Sequence, residues 1–445
     1  MKGILVAVLL FTTLAKGQTI TRLTLDEAIA IGKEHSRTLK ASTAKAEGAS
    51  ARADEASAGL LPSIKLDGSY RRLSDVPPFA VQVPGLMKVP YVISPTYQNS
   101  YALHAGVQQP IFTGFKLASN TRAAELLAKA ADLDRINDES DLVLAITVAY
   151  WTLHQTTETN RYVDENVTRL EMYEKDTHNL LKAGLATRND LLKIQVQSSN
   201  AKLTQIDAAN DRQVAMMNLN NLIGQPLEAE VEPVSLPQID SADVLGPVAR
   251  TAELQMRAWQ FRPDLQAMQA RIQASEATVR AAKGNWWPQI FFTGNYYYSR
   301  PNPRYMPTLD EWKDTWDFGV SIQLDVWNWG ATSAQVEQAR AGMMANQFIY
   351  EQMKENVSLE VTRYDLAKRR AKDKVNVAAL AISQAEENAR TTQDKYRSGL
   401  ATSTDVLDAS VALLQARTNY TGALVEFEVA RARLVRASGE DHQHE

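Results

Sequence analysis

Gly184-Leu185-Ala186-Thr187 and Gly399-Leu400-Ala401-Thr402 are the same four residues, met twice at a distance of 215 positions. Each copy is followed by an aspartate, Asp190 or Asp405, and then by a leucine, Leu192 or Leu407, at matching distances. The echo extends outward from the turns. Phe112 aligns with Trp327 and Gly224 with Gly439 at the same offset, while Leu39, Pro62 and Ile64 align with Leu265, Pro288 and Ile290 at an offset of 226. The register therefore slips once, by 11 residues, between about residues 65 and 110. Self-similarity at a fixed offset marks one structural unit built twice. The chain divides into a first repeat over residues 18–224, a second over 251–439, and a strap over 225–250 that holds Pro226, Pro233, Pro237, Gly246 and Pro247. A polar tail, residues 440–445, follows.

Each repeat reads as helix, strand, loop, strand, very long helix, tight turn, helix. Residues 25–61 are rich in Ala, Glu, Lys and Leu, good helix formers, and Pro62 stops them. From Ser63 the period becomes two: Ile64, Leu66 and Tyr70 alternate with Lys65, Asp67, Ser69 and Arg71, a strand with one apolar face. Five prolines and a glycine make residues 74–99 a loop. A second strand carries Tyr101, Leu103, Ala105 and Val107 on one face. In the second repeat Ile290, Phe292, Tyr296 and Tyr298 alternate with polar residues, and after a loop so do Phe318, Val320, Ile322, Leu324 and Val326. Neither Pro nor a run of Gly interrupts residues 117–182 or 331–397. At the helical rise each stretch spans roughly 100 Å. Leu142, Ala145, Ile146, Ala149 and Leu153 trace one helix face, and such small side chains suit close side-by-side packing.

Bulk composition excludes several functions. With 48 basic and 52 acidic residues the net charge is −4, so there is no basic footprint for nucleic acid. The lack of cysteine removes disulfides, thiolate metal sites and a lipidated N-terminal cysteine. No Gly-Lys phosphate loop and no recognisable Ser, His and Asp set is present, which argues against an enzyme. None of His35, His104, His154, His178, His442 and His444 forms a ligand pair on a predicted helix, so no metal or cofactor is expected. Residues 1–17, with Lys2, an apolar run from Ile4 to Leu14, and Ala15-Lys16-Gly17, read as an export signal peptide.

Six of the eight tryptophans, Trp286, Trp287, Trp312, Trp316, Trp327 and Trp329, cluster at the ends of the second pair of strands. Aromatic residues there form the interfacial girdles of a membrane β-barrel; the alternative is a soluble sandwich edge or a sugar-binding patch. Four strands cannot close a barrel, because single-chain barrels start at about eight. An open strand edge in lipid leaves backbone groups unsatisfied, so strands that cross a membrane must be pooled from several copies.

In the order of these features the chain resembles the TolC-like outer-membrane efflux proteins, from about residue 22 to 439. The Leu61-Pro62 and Trp287-Pro288 helix-to-strand junctions and the two Gly-Leu-Ala-Thr turns carry the likeness. The resemblance implies a mixed α+β fold: a homotrimeric outer-membrane β-barrel, with four strands from each chain, continuous with a long α-helical coiled-coil tunnel in the periplasm. It implies a passive exit duct for an inner-membrane transporter, reached through a periplasmic adaptor (a membrane fusion protein). The rival expectation is a non-conducting periplasmic coiled-coil scaffold, which would need no aromatic-flanked alternating strands.

The turns also supply the candidate site. Gly184 and Gly399 sit where a long helix must reverse, which calls for a left-handed cap. Thr187-x-x-Asp190 and Thr402-x-x-Asp405 fit N-caps with an acid at the third helical position. By resemblance, Gly184, Leu185, Ala186, Thr187, Gly399, Leu400, Ala401 and Thr402 form an adaptor-facing rim. Asp405 and Asp408, three apart, share a helix face. The family places the periplasmic constriction there, as acid rings that select cations; the plainer alternative for Asp408 is a solvated charge. Its first-repeat counterpart is Lys193, so the ring is not sixfold acidic. Tyr396 and Asp190 match positions of the family's closed-state latch, whose arginine is replaced here by Ala401.

Overall fold

The computed structural model describes residues 21–82, 84–86, 88–237 and 251–440. The expected signal peptide lies outside them, as do residues 238–250 of the strap and 441–445 of the tail. The chain forms two compact units, each drawing on both sequence repeats.

One unit holds residues 44–133 and 265–352. Its centre is a four-stranded antiparallel sheet of β2 (Ser63–Arg72), β5 (Asn99–Thr113), β7 (Gln289–Arg300) and β8 (Lys313–Gln323), in the order β2-β5-β7-β8. The register sets Ile64 beside Val107, Leu103 beside Tyr298, Tyr296 beside Trp316 and Phe292 beside Val320, so apolar side chains fill one face. The opposite face carries Lys65, Asp67, His104, Asn295, Thr293 and Asp317. A period of two, kept in register over four strands, produces this division. The apolar face is exposed within the chain: Leu66 is 80% and Phe318 69% accessible. Below the sheet, Ala130, Ala267 and Ala270 form a small-residue core.

Three details differ from the sequence reading. The loop at residues 74–99 contains a short hairpin, β3 (Phe79–Val81) with β4 (Tyr91–Ser94). The last strand was expected to reach Val326; it ends at Gln323, because its partner β7 begins at Gln289 and offers no backbone groups beyond that pair. The helix expected over residues 25–61 is two, α1 (Leu25–His35) and α2 (Arg37–Ala58). Ser36 divides them: its Oγ accepts the Leu39 amide at 3.2 Å and so starts a new helix. The second repeat breaks at the equivalent place, between α5 (Thr251–Phe261) and α6 (Pro263–Lys283), where Pro263 takes the first helical position.

The other unit holds residues 21–43, 134–264 and 353–440 within the described span. It contains most of α3 (Lys116–Lys182) and α7 (Ala331–Arg397), each 67 residues long, and all of α4 (Arg188–Ile223) and α8 (Ser403–Ser438), each 36 residues long. Strand β1 (Thr21–Leu23) pairs in parallel with β6 (Val231–Pro233), which ties the strap to the first repeat. The core here is built on Ile146, Tyr150, Leu153, Leu219 and Ile223, all fully buried. The Tyr150 hydroxyl serves both partners of the strap, donating to Leu23 O at 3.0 Å and accepting from Ser235 N at 2.8 Å. Among the described residues no helix is long and apolar enough to cross a membrane.

Candidate gate and docking site at the helix-hairpin tips

The two turns are one construction made twice. At the end of α3 the Gly184 amide donates to Leu181 O at 3.0 Å and the Leu185 amide to Leu180 O at 2.9 Å. At the end of α7, Gly399 donates to Tyr396 O at 3.0 Å and Leu400 to Lys395 O at 2.8 Å. This paired closure needs a left-handed residue, and Gly184 (φ +78°) and Gly399 (φ +72°) supply it. The chain then enters α4 and α8 through reciprocal caps. Thr187 Oγ1 accepts the Asp190 amide at 3.2 Å while Asp190 Oδ2 accepts the Thr187 amide at 3.0 Å; the Thr402–Asp405 pair repeats this at 3.2 and 2.8 Å. Ala186 and Ala401 are half-buried, whereas Leu185 (76%) and Leu400 (79%) stand out in solvent. In this motif an apolar residue commonly folds back on the last helical turn; here both leucines stay free at the tip.

The tips are joined within the chain by contacts the sequence does not announce. Ser403 donates to Asp190 Oδ1 at 2.8 Å, and Lys193 reaches Thr404 Oγ1 at 3.4 Å, so the starts of α4 and α8 stand level. Tyr396 is buried beside Tyr173 in a cluster with Leu170, Ile194 and Val406. Thr177 spends its proton on Tyr173 O at 2.7 Å, so the Tyr396 hydroxyl donates to Thr177 Oγ1 and ties α7 to α3. Ala401, where the family's latch arginine was expected, has only a methyl to offer and packs against the same cluster. Higher up, Arg417 of α8 binds Glu165 on α3 at 2.6 Å and Glu386 on α7 at 2.9 Å. Asp405 and Asp408 are both exposed on α8; Asp405 gives Oδ2 to its cap, and Asp408 has no partner among the described residues. Ser403 and Thr177 were missed. The counterpart of Ser403 in the first repeat is Arg188, so the repeat conceals the serine's role.

Hydrogen bonds from the Thr187 side chain, then from Ser403 and the Thr187 backbone, hold Asp190 below the ordinary aspartate pKa of about 3.8; Thr402 does the same to Asp405. A carboxylate whose folded pKa is depressed adds stability above its unfolded value, and that stability disappears as pH falls through the folded value. Both caps are therefore expected to remain intact at pH 5 and to open only below about pH 3.8. Amide exchange at Asp190 and Asp405 followed against pH checks this; tips that loosen near pH 5 contradict it.

The polar face of the sheet carries a second constellation. Asp67 (β2), His104 (β5), Asn295 (β7) and Asp317 (β8) form a hydrogen-bonded row across all four strands, at 3.3, 3.0 and 2.8 Å. Arg304, from the loop after β7, completes it on Asp317 at 2.8 Å. Among the described residues no group of His, Asp or Glu is arranged to hold a metal ion.

A sheet with one apolar and one polar face, set in a chain with two very long helical hairpins, defines the subunit class of outer-membrane channels. The chain belongs to the outer membrane efflux protein family: the family's model matches residues 30–225 and 255–440. Its location is the outer membrane. The alkaline protease secretion protein AprF of Pseudomonas aeruginosa is 21% identical over 346 residues, 76% of this chain and 69% of its own. The toluene efflux pump outer membrane protein TtgC of Pseudomonas putida is 21% identical over 385 residues, 86% of this chain and 76% of its own. In fold, the chain is similar to the Campylobacter jejuni CmeC outer membrane channel, with a TM-score of 0.79 at 14% identity, over 93% of this chain and 85% of that one.

Proposed function

We propose that the protein is the outer-membrane channel of a tripartite efflux or secretion system, a homotrimeric passive duct emptied by an inner-membrane transporter through a periplasmic adaptor. One observation carries this reading. The sheet pairs only internally, so β2 and β8 each present an edge with no neighbour among the described residues, beneath a face of Ile64, Leu66, Phe318, Val320 and Ile322. Water would tolerate the edges and lipid the apolar face, but a monomer in a bilayer satisfies neither set of backbone groups. Copies joined β8 to β2 close a wall whose inner surface is the polar face. An even number of alternating strands keeps that new junction antiparallel.

In this reading the rim of Gly184, Leu185, Ala186, Thr187, Gly399, Leu400, Ala401 and Thr402 receives the adaptor, with Leu185 and Leu400 as apolar contacts. Tyr396 and Asp190 tie the narrow end, and Asp405 and Asp408 line it as acid rings. The relatives' names cover both protease secretion and toluene efflux, so the class of solute stays open. The full chain, extracted from outer membranes, is expected to run as a heat-modifiable oligomer and to conduct ions in planar bilayers. A non-conducting, soluble monomer would instead support the scaffold. Leu185→Ser with Leu400→Ser should lower co-purification of the proposed periplasmic adaptor from the host's envelope and leave the oligomer intact; unchanged recovery would remove the leucines from the rim.

A further inference from the structure

Where strand meets helix, the chain leaving β5 and the chain entering β7 are clasped together. Gly114 and Gly284 stand face to face: a Cβ on Gly114 would lie 2.3 Å from Gly284 O, and one on Gly284 would lie 2.7 Å from Gly114 O. Only glycine permits that approach. It sets the start of α3 beside the end of α6 and leaves an open groove of about 400 Å³, lined by Phe115, Arg122, Arg280, Lys283 and Trp287. The groove continues from the apolar face of the sheet. Phe115 packs edge-on against Phe112 at 5.4 Å, and Phe112 is paired with Ile290 on that face. Phe115 and Trp287 are both well exposed, at 64% and 55%.

The charge here is one-sided. Arg280 and Lys283 are exposed and take no ion pair among the described residues. Arg122 meets only its own neighbour Glu125, at 3.0 Å with both side chains exposed, a pair that holds little. Lys116 gives its ammonium to the neutral Asn285 at 3.0 Å. The negative end of the α6 dipole accounts for Arg280 and Lys283 in the last turn of that helix. It does not account for Lys116 and Arg122, which open α3 at its positive end with no acid in the first turn. Cations so placed call for an anion from outside the chain.

The other repeat provides an internal comparison. At the offsets of 215 and 226 residues, Lys116, Arg122, Arg280 and Lys283 correspond to Ala331, Glu337, Asp54 and Ser57. A helix-to-strand junction of this form therefore needs no cation. Phe115 corresponds to Gly330, and both are left-handed, at φ +66° and +84°. That conformation suits glycine, so the phenyl ring is kept against backbone strain. These departures from the repeat converge on one groove and make it aromatic at the sheet end and cationic along the helices.

We infer that this groove holds the headgroup of an anionic phospholipid in the periplasm-facing leaflet, its phosphate among Arg122, Arg280 and Lys283 and its glycerol and first acyl carbons against Phe115 and Trp287. The helices are periplasmic, so this end of the strands meets that leaflet. The depth fits as well. At the helical rise Arg280 lies about 6 Å along α6 from Gly284, and Arg122 about 9 Å along α3 from Lys116. The polar layer on each side of a bilayer is roughly 5–8 Å thick, within reach of long cationic side chains. Exposed aromatic rings suit the boundary where acyl chain gives way to headgroup. Two unspent positive charges favour a lipid of net negative charge over a zwitterion. This inference rests on the reading above that the apolar face of the sheet lies in lipid.

Native mass spectrometry of the full chain, released assembled from detergent, tests this with added phosphatidylglycerol or phosphatidylethanolamine. Phosphatidylglycerol is expected to bind the more tightly, and Arg280→Gln with Lys283→Gln to weaken it roughly tenfold to thirtyfold, the share of two surface cations. Arg52→Gln, which removes an exposed cation on α2 near the other junction, is expected to leave binding unchanged. Phe115→Gly, which installs the residue of the other repeat, is expected to lose lipid while the oligomer stays assembled. Equal binding of the two lipids, or full binding by the double glutamine variant, would overturn the inference. So would an equal loss in Arg52→Gln, which would reduce the effect to total charge. Release of the lipid by millimolar inorganic phosphate would also overturn it, by making the groove a site for the free anion. A chain that does not enter bilayers at all would instead bring down the lipid reading of the sheet, whereas one that inserts and conducts yet shows no headgroup preference removes only this site.

Discussion

Tyr396→Phe combined with Ser403→Ala is expected to hold the channel open, raising its conductance in lipid bilayers. The two bonds join different helices: Tyr396 ties α7 to α3 through Thr177, and Ser403 ties α8 to α4 through Asp190. Any widening of the narrow end that slides one hairpin past the other must break both. The phenylalanine fits the same space but leaves the Thr177 oxygen buried without a donor, a cost of about 1–3 kcal/mol. Loss of the Ser403 hydroxyl takes one charge-assisted bond from a half-buried carboxylate, about 1 kcal/mol after allowance for solvent. Together, at about 2–4 kcal/mol, they shift the balance between tied and untied tips by roughly thirtyfold to several hundredfold. Both caps keep their partners, since Thr187 still holds Asp190 and Thr402 still holds Asp405. Melting temperature and oligomer size should therefore stay close to those of the unmodified protein. A folded, assembled double variant with unaltered conductance would show that these bonds are structural and have no part in a gate.

Asp405→Asn with Asp408→Asn is expected to abolish block by divalent cations at concentrations that block the unmodified channel. The two carboxylates project from one face of α8, three residues apart, at the start of the helix. In the proposed trimer, copies around a threefold axis would concentrate negative charge at the narrow end, an arrangement that attracts and retains cations. Asparagine is chosen over alanine because Asp405 also caps its helix through the Thr402 amide, and an amide oxygen can still accept that bond. The single Asp408→Asn variant separates the roles, since Asp408 supports no cap. Block that persists undiminished in the double variant would return Asp408 to the solvated charge that the sequence equally allowed.

Much of this site was legible before the fold was known. Gly184 and Gly399 announce left-handed reversals, and Thr187-x-x-Asp190 and Thr402-x-x-Asp405 announce caps, because each motif is closed by bonds between residues at most five apart. Alternation in Ile64–Tyr70 and Phe318–Ile322 likewise gave strands with one apolar face, since a side chain's face on a strand follows from its parity alone. The break at Ser36 was missed for the opposite reason: surrounding helix formers outweighed a single serine whose cap depends on where its hydroxyl turns.

The sequence by itself determined the local elements, the two faces of the sheet and the form of the tips, all set by neighbours along the chain. Only the tertiary structure decided that β5 pairs with β7, bringing the two repeats into one sheet. It alone joined Thr177 to Tyr396 and Ser403 to Asp190, partners 219 and 213 residues apart. Such contacts are fixed by how helices and strands pack against one another, and no spacing within either segment encodes them.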